Sequence, residues 1–222
     1  MRNVVVFWSG GKDSCLACYE ATLHGLTISY LLNFTVKDRP HLHGGPESIH
    51  AQLRAIGLPF IQKETTWGMY REDVEDVINR LKKVNVSGAV FGDIHLEEHR
   101  SWIEKLCDRL GILPYFPLWN RDPIEILDTF VSKGFEAIVI SARADLFDEG
   151  WVGRRIDRNF IRDLSRLRDR IDLCGEFGEY HTFVIDGPIF RKRLMISLGK
   201  KSLKDGYWSL DISNLILKDK EF

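Results

Sequence analysis

A short polar segment follows the first apolar run of the chain and has the composition of a phosphate-binding loop. Residues 9–14 are Ser-Gly-Gly-Lys-Asp-Ser, directly after the apolar residues 4–8. Adjacent glycines adopt backbone conformations that are closed to other residues, so their amides can turn towards one anion. A helix predicted to begin near Asp13 adds its own amides and the positive end of its dipole. The predicted nucleotide-binding residues are Ser9, Gly10, Gly11, Lys12, Asp13 and Ser14.

Two residues of this segment carry charge, and they suggest different roles. Lys12 supplies a positive charge for phosphate, and it is a candidate catalytic residue. Asp13 would be repelled by phosphate unless it binds Mg²⁺ or caps the helix, and it is a candidate for both roles. The spacing does not fit a Walker A loop, which needs Gly, four residues and then Gly-Lys-Ser/Thr. A plain glycine turn with a helix cap is the structural alternative.

A second polar cluster, at residues 92–100, follows the predicted strand at 89–94. Ligands of open α/β sheets bind along the carboxyl ends of the strands, so Asp93 is expected to face the same crevice as residues 9–14. Asp93 is therefore a candidate catalytic residue and, with Asp13, a candidate Mg²⁺ ligand. Glu97 and Glu98 also suit the first turn of a helix, and a helix cap is the alternative for Asp93. The candidate substrate-binding residues are His95, Glu98 and Arg100.

A third cluster, at residues 174–183, is Cys-Gly-Glu-Phe-Gly-Glu-Tyr-His-Thr-Phe. A turn followed by a strand explains the glycines but not the two acids and the His-Thr pair. Groups of this kind bind an amine or position a carboxyl substrate. We predict catalytic roles for Glu176 and Glu179. The predicted acceptor-binding residues are Gly178, His181 and Thr182.

Weaker features have structural explanations. Cys15 and Cys18 could form a redox or metal pair, but on one face of a helix small buried cysteines favour core packing. The segment containing His41 and His43 is interpreted as a polar lid rather than a zinc site. A basic stretch could bind phosphate or an acidic partner, or form a solvated helix face; it contains Arg154, Arg155 and Arg158.

The elements that must position these clusters alternate between strands and helices. Apolar runs predict strands at residues 4–8, 28–34, 60–64, 89–94 and 137–141. Apolar spacings of three and four predict helices at 70–84 and 96–110, with a further helix starting near Pro123. This alternation is typical of a doubly wound, mainly parallel α/β sheet. We predict an ATP-binding domain at 1–120 and a smaller α+β acceptor-substrate domain at 121–222.

Composition limits the class of protein. The 222 residues are 44% hydrophobic and 28% charged, with a formal net charge of -1, so nothing resembles the basic composition of a dedicated nucleic-acid binder. No apolar run reaches the roughly 18–20 residues of a membrane helix, and the N-terminal residues do not resemble a secretory signal. Four scattered cysteines do not suggest a disulfide framework, which favours a reduced, cytoplasmic protein.

The three clusters, in this order, resemble the diphthine–ammonia ligase (diphthamide synthase) family of N-type ATP pyrophosphatases, the PP-loop or adenine nucleotide alpha hydrolase superfamily. The resemblance implies a HUP-like PP-loop domain that uses ATP and Mg²⁺. It implies that the diphthine carboxylate on elongation factor 2 is adenylated with release of pyrophosphate, and that ammonia then displaces AMP. The edge rule for open sheets predicts adenine near Asn33. A homodimer is one alternative for the oligomeric state.

Two residues depart from the usual family motif, Gly-Glu-Gly-Gly-Glu-Tyr-Glu-Thr. Phe177 replaces a glycine and His181 replaces a glutamate. These differences leave open a divergent paralogue that amidates or salvages another small molecule. Two further alternatives remain: a transfer-RNA thiolation enzyme with sulfur on Cys15, Cys18 or Cys174, and a non-catalytic adenine-nucleotide sensor.

Overall fold

The computed structural model describes residues 2–37 and 44–220. These residues form two compact units. The first unit comprises the described parts of residues 1–9, 13–41 and 58–120, and the second comprises those of residues 10–12, 42–57 and 121–222. The division into domains at 1–120 and 121–222 stays a prediction. The segment with His41 and His43 lies outside the described residues.

The first unit contains a parallel sheet of five described strands in the order β3-β2-β1-β4-β5. Residues 4–6 of the first strand are all valines with no exposed surface, as expected for a parallel strand covered on both faces. In chain order the strands are β1 (Asn3–Phe7), β2 (Thr27–Val36), β3 (Phe60–Thr65), β4 (Val86–Val90) and β5 (Leu113–Tyr115).

Helices follow strands of this sheet, and α3 and α4 each bury one apolar face. The described α-helices of the chain are α1 (Lys12–Leu23), α2 (Pro46–Ile56), α3 (Tyr70–Lys82), α4 (Glu97–Leu110), α5 (Pro123–Ser132) and α6 (Arg158–Ser165). In α3 the buried positions are Val74, Val77, Ile78 and Leu81, and they join one core cluster with Ile103 of α4. Spacings of three and four place these residues on one face, which confirms the predicted helices. Helix α2 packs in the second unit.

The second unit contains an antiparallel sheet in the order β7-β6-β9-β8. Its strands are β6 (Glu136–Arg143), β7 (Tyr180–Asp186), β8 (Lys192–Lys204) and β9 (Tyr207–Asp219), and a short 3-10 helix covers Glu149–Trp151. Helix α5 begins at Pro123, as predicted, because the Asp122 side chain accepts hydrogen bonds from the amides of Ile124 and Glu125. The predicted fold class, a parallel α/β sheet with a separate α+β C-terminal part, is confirmed.

Three details of the predicted elements are wrong. The run at 137–141 lies in β6 of the antiparallel sheet, because a strand buried along most of its length shows the same apolar run whichever sheet it joins. The fifth parallel strand is β5, a three-residue strand containing a proline, which is too short to give a periodic signal. The strand predicted at 89–94 ends at Val90. No helix in the described part of the chain is long and apolar enough to cross a membrane.

Helix α2 is held in the second unit by one buried amide. The Gln52 side chain has no exposed surface, and its Nε2 donates to the backbone oxygens of Gly10, at 2.9 Å, and Val184, at 2.7 Å. The amide of Val184 also donates to the Gly10 oxygen, at 3.1 Å. Burial of a carbonyl is costly without a donor, and Gln52 supplies a donor to the Val184 oxygen and a second donor to the Gly10 oxygen.

We expect Gln52→Ala to lower the free energy of unfolding by roughly 2–4 kcal/mol, because two buried carbonyl oxygens lose a donor. Chemical denaturation followed by circular dichroism measures this change. The matched control is Arg54→Ala on the exposed side of the same helix, for which we expect a change within about 0.5 kcal/mol. Equal stability of the two variants would contradict the role given to Gln52.

Candidate functional site

The order of the parallel sheet places two loops side by side. Strand β1 lies between β2 and β4, and the chain leaves β2 and β3 on one side before β4 and β5 form on the other. This reversal is a topological switch point, where open α/β sheets bind ligands beyond the carboxyl ends of the strands. The loop after β1 leads to Ser9, and the loop after β4 leads to Gly92 and Asp93. The first and second predicted clusters therefore start at the same edge.

Gly92 brings these two loops into backbone contact. A Cβ atom added at Gly92 would lie 2.9 Å from the carbonyl carbon of Asp13 and 2.9 Å from the amide nitrogen of Ser14. Such distances are shorter than real Cβ contacts, so only glycine allows this approach. Since Asp93 follows directly, the close approach brings its backbone next to the first turn of α1. The structure thus brings together the segments of Asp13 and Asp93, the two predicted Mg²⁺ ligands.

Neither of these two carboxylates occupies the helix-cap position that was the alternative to a ligand role. Helix α1 begins at Lys12, so Asp13 is the second residue of its first turn. The N-cap residue of α4 is Leu96, and it makes no side-chain cap hydrogen bond. The Asp93 carboxylate instead lies 3.3 Å from Nδ1 of His99, with 17% of its side chain exposed. Neither acid therefore stands at the N-cap position of the adjacent helix.

Hydroxyl and amide groups flank the same edge. The Oγ atoms of Ser9 and Ser14 lie 3.1 Å apart, on either side of the two glycines. Asn33, near the end of β2, is buried, and its Nδ2 donates to the backbone oxygen of Trp8 at 2.9 Å. Its Oδ1 accepts from Oγ1 of Thr35 at 3.2 Å and from the Gln62 side chain at 3.3 Å. Asn33 therefore ties the ends of β1, β2 and β3 together, and its contact with adenine stays a prediction.

Within the second unit, Lys12 contacts the third predicted cluster. Its amide donates to Oγ1 of Thr182 at 3.0 Å, and its Nζ donates to the backbone oxygen of Cys174. The ammonium also lies 5.0 Å from the centre of the Tyr180 ring, a cation–π contact. The Lys12 residue is only 3% exposed. These contacts hold the ammonium in one orientation. Sequence reasoning missed Tyr180, although it stands inside the quoted motif.

The residues before β7 form a loop closed by two carboxylates. Both oxygens of Glu179 accept backbone hydrogen bonds, from Asp172 at 2.9 Å and from Phe177 at 3.0 Å. Oδ1 of Asp172 accepts from the amides of Cys174, at 2.9 Å, and Glu176, at 3.0 Å. Glu179 is buried, and a buried carboxylate is costly unless it is hydrogen-bonded. Its two hydrogen bonds to backbone amides offset that cost. The contacts give it a structural role, and the catalytic roles of Glu176 and Glu179 stay predictions.

The glycines of this loop have positive φ angles, +77° at Gly175 and +81° at Gly178. At Gly175 the backbone also passes so close to the oxygen of Tyr180 that a Cβ would lie 2.9 Å from it. Phe177, the first departure from the family motif, is 63% exposed. Its ring therefore lies on the surface and does not fill the interior of this loop.

His181, the second departure, lies on the opposite face of β7 from Thr182, because successive side chains of a strand alternate. It pairs with Ser141 on β6, and its ring lies 6.3 Å from that of Tyr207. Thr182 bonds to Lys12 on the other face. The structure therefore separates these two predicted acceptor-binding residues, and the substrate role of each stays a prediction.

The substrate-binding residues predicted on α4 point to different surroundings. Nε of Arg100 lies 2.7 Å from the Glu104 carboxylate, and its guanidinium lies 4.6 Å from the centre of the Trp119 ring. Glu98 is exposed and lines a depression of about 380 Å³ together with Trp102. His95, between Asp93 and the start of the helix, is partly buried. Sequence reasoning missed Trp102, because a single exposed aromatic residue on a helix gives no motif.

The cysteines are buried thiols. Cys15, Cys18 and Cys174 are each at most 2% exposed. Burial raises the pKa of Cys18 to about 12 and that of Cys15 well above its usual value. A thiol of high pKa is a poor nucleophile and metal ligand, so these contacts favour the packing interpretation of the Cys15 and Cys18 pair.

The predicted basic stretch is largely engaged in ion pairs within the second unit. Arg154 bonds to Asp163 at 2.7 Å, and Arg155 bonds to Glu136 at 2.8 Å. Only residues 158–165 of that stretch are helical, and Arg158 is the first residue of α6. These pairs stabilise the unit, and binding of phosphate or an acidic partner here stays an alternative without further support.

Comparison with known proteins agrees with the order of the three clusters. The family model described as the diphthamide synthase N-terminal domain matches residues 1–114, and the one described as the diphthamide synthase C-terminal domain matches residues 122–218. The chain is 29% identical to diphthine–ammonia ligase of Danio rerio, over 87% of this chain and 86% of that protein. It is 27% identical to diphthine–ammonia ligase of Homo sapiens, over 87% and 82%.

We expect Gly92→Ala to lower kcat/KM for ATP by about tenfold to a hundredfold, because a Cβ there would displace the first turn of α1, which carries the predicted catalytic residues Lys12 and Asp13. The control is Gly68→Ala, where an added Cβ meets nothing within 4 Å, and which should leave kinetics unchanged. Initial rates of pyrophosphate release at varied ATP measure both variants. A Gly92→Ala variant with wild-type kinetics would show that the close approach has no functional role.

A second prediction separates the structural role of Glu179 from a catalytic one. Glu179→Gln replaces one acceptor oxygen with an NH₂ group that faces a backbone amide, so we expect a loss of about 1–3 kcal/mol in the free energy of unfolding. The control, Glu72→Gln on the exposed face of α3, should change stability by less than about 0.5 kcal/mol. A Glu179→Gln variant of full stability but impaired turnover would support the catalytic role instead.

Proposed function

The chain belongs to the diphthamide synthase family, and on this premise we propose that it is an ATP-dependent ligase of diphthamide synthesis, which adenylates the carboxylate of diphthine on elongation factor 2 and transfers ammonia to it. The family is one of AMP-forming ligases, so the chain is an enzyme. The acceptor, the adenylated intermediate and Mg²⁺ are parts of the proposal.

One observation carries this proposal: the backbone of Gly92 lies against Asp13 and Ser14 at the switch point of the parallel sheet. At this contact, the glycine-rich residues 9–14 lead into the N-terminus of α1. Two carboxylates, Asp13 and Asp93, belong to the two segments in contact. Helix N-termini bind phosphate through free amides and the helix dipole. The arrangement suits a triphosphate that carries a divalent cation.

The proposed reaction has two steps. An oxygen of the acceptor carboxylate attacks the α-phosphorus of ATP, a P–O bond to the bridging oxygen breaks, and pyrophosphate leaves. Ammonia then attacks the acyl carbon of the mixed anhydride, the bond from that carbon to the AMP oxygen breaks, and a proton is lost to give the amide. Adenylation is required because a free carboxylate anion resists attack by a nucleophile.

The residues at the switch point fit a magnesium ion bound to ATP. Mg²⁺ is usually held by one or two carboxylates together with substrate phosphates and water. Asp13 and Asp93 would hold it, since both are carboxylates and their segments are in backbone contact. The ion would neutralise phosphate charge as pyrophosphate departs.

The chain's own groups supply binding and orientation. The Ser9 and Ser14 hydroxyls flank the phosphate loop, and the Lys12 ammonium, fixed by Cys174 and the Tyr180 ring, supplies positive charge. Charge that is fixed before the reaction stabilises a transition state without reorganisation. Because Thr182 accepts from the Lys12 amide, the third cluster supports the loop directly. We propose Glu176, Gly178 and His181 as acceptor contacts.

Two alternatives predict different behaviour. The thiolation alternative needs a reactive cysteine, and the raised pKa values of Cys15 and Cys18 disfavour it. The sensor alternative predicts that ATP or AMP binds without release of pyrophosphate. His181 in place of the usual glutamate leaves a different carboxylate acceptor as a further alternative.

The proposed function predicts acceptor-dependent pyrophosphate release. Purified enzyme is incubated with Mg²⁺–ATP, elongation factor 2 that carries diphthine, and ammonium, and pyrophosphate, AMP and the mass of the modified residue are measured. We expect one pyrophosphate and one AMP for each amide formed, and no amide without ammonium. Bound ATP with no pyrophosphate under any acceptor would favour the sensor.

Within the same assay, Asp93→Ala should lower turnover on the order of a hundredfold, because it removes a carboxylate that would hold the Mg²⁺ ion, whose positive charge neutralises the departing phosphate. Its thermal stability should remain close to that of the wild type, since Asp93 does not cap α4. Asp108→Asn, on the exposed face of α4, is the control and should retain full turnover. An unimpaired Asp93→Ala variant would remove Asp93 from the proposed mechanism.

A further inference from the structure

An aromatic surface in the first unit has no role in the chemistry described so far. It consists of Trp67, Tyr70 and Trp102, with ring centres of neighbouring members 5.9 Å and 6.2 Å apart. Trp67 is 65% exposed and Trp102 is 40% exposed. Large aromatic side chains usually contribute stability by burial, so two partly exposed tryptophans that each contact the Tyr70 ring suggest a binding surface.

This surface is anchored to the ligand-binding edge of the sheet. Tyr70 contacts the ring of Phe34 at 5.6 Å, Phe34 contacts Phe7 at 6.1 Å, and Phe7 contacts Phe91 at 4.7 Å. Phe7 is the last residue of β1, and Phe91 follows β4 directly. A continuous series of packed rings therefore connects the exposed aromatic residues to the two strand ends that lead to the phosphate loop and to Asp93.

The charged residues that line the depression at Trp102 are mainly negative. Glu97, Glu98 and Lys105 line the depression of about 380 Å³ that contains one side of Trp102. Two carboxylates thus oppose one ammonium there. Burial and, to a smaller extent, Asp93 raise the pKa of Tyr70 to about 12, above an ordinary value at which the phenol is already neutral near pH 7. The surface therefore presents neutral aromatic faces, with an excess of negative charge beside Trp102.

The combination selects among ligands. An anionic group would be repelled by the carboxylates, and a purely apolar group would gain nothing from them. A small ammonium ion is strongly hydrated and loses that hydration when it leaves water. A quaternary ammonium group carries positive charge on weakly hydrated methyl groups, which pack against aromatic faces.

We propose that Trp67, Tyr70 and Trp102, with Glu97 and Glu98, bind a quaternary ammonium group on the acceptor. This inference rests on the proposed function, since diphthine is itself a quaternary ammonium compound that also carries the reacting carboxylate. Binding of the non-reacting cation would orient the carboxylate and so contribute to transition-state binding. The three aromatic residues and two carboxylates are thus specificity-determining residues and not catalytic ones.

The direct test uses choline and its uncharged carbon analogue, 3,3-dimethyl-1-butanol. Titration of each into the full-length protein is followed by NMR of the tryptophan indole groups and by fluorescence. We expect saturable choline binding that shifts two indole signals, and binding of the neutral analogue that is at least about fivefold weaker, as the strength of a cation–π contact implies. Equal binding of both compounds, or binding of neither, would overturn the proposal.

Variants identify the residues. Trp67→Leu and Trp102→Leu keep an apolar side chain but remove the aromatic face, and each should weaken choline binding about fivefold to tenfold. Leu203→Ala, an exposed apolar residue of β8 that is 56% exposed, is the control and should not change binding. Circular dichroism confirms that each variant is folded. Wild-type choline affinity in both tryptophan variants would refute the assignment.

Kinetics separate a failure of this inference from a failure of the proposed function. In the pyrophosphate-release assay, the tryptophan variants should raise the KM for the acceptor about tenfold while the KM for ATP stays unchanged, and choline should compete with the acceptor. If the wild type turns over but these variants keep the wild-type acceptor KM, the inference fails alone. If the wild type binds choline but releases no pyrophosphate with diphthine, the proposed function fails while the quaternary ammonium site stands.

Discussion

The arrangement of the site depends on how closely the backbone after β4 approaches the first turn of α1. No side chain separates the two segments, because Gly92 lies where any Cβ would meet the backbone of Asp13 and Ser14. Parallel strands β1 and β4 are hydrogen-bonded neighbours, so their carboxyl ends are fixed relative to one another by the sheet. The glycine then determines how near the loops beyond those ends can come. A phosphate loop and a carboxylate on another segment can act on one nucleotide only if that distance is short.

A second constraint is that the buried backbone groups of Gly10 and Lys12 need hydrogen-bond partners. The oxygen of Gly10 accepts from Gln52 and from Val184, and the amide of Lys12 donates to Thr182. Each group would be costly to bury alone, and together they fix a glycine whose φ is +91°. The phosphate loop is therefore held by hydrogen bonds whose partners lie 42 to 174 residues away in the chain. A loop that is held in place before the ligand arrives loses less entropy on binding.

The structure confirms some local predictions from the sequence and corrects several predicted elements. The glycine-rich loop, Asp93 and the helix at Pro123 were predictable because turn, cap and loop chemistry act over a few residues. The membership of β6 in the second sheet was not, since a buried strand has the same apolar run in either sheet. Gln52 was missed for a related reason: nothing local in a helix indicates that one amide will meet two distant carbonyls. The aromatic surface was missed because Trp67 and Trp102 come from different segments.

The acidic residues of the three clusters differ in the hydrogen bonding and the exposure of their carboxylate oxygens. This difference separates candidates for a structural role from candidates for ligand binding. Glu179 is buried, and backbone amides occupy both of its oxygens, so its charge is already used within the loop. Asp93 is partly exposed beside a histidine and does not cap the adjacent helix. Glu98 is exposed beside Trp102. Because a carboxylate that binds a metal or a substrate needs oxygens that a ligand can reach, Asp93 and Glu98 fit such roles by their positions alone. The sequence motif weights all of these acids equally, whereas hydrogen bonding shows that both oxygens of Glu179 are used within the loop. The ligand roles of Asp93 and Glu98 stay proposals.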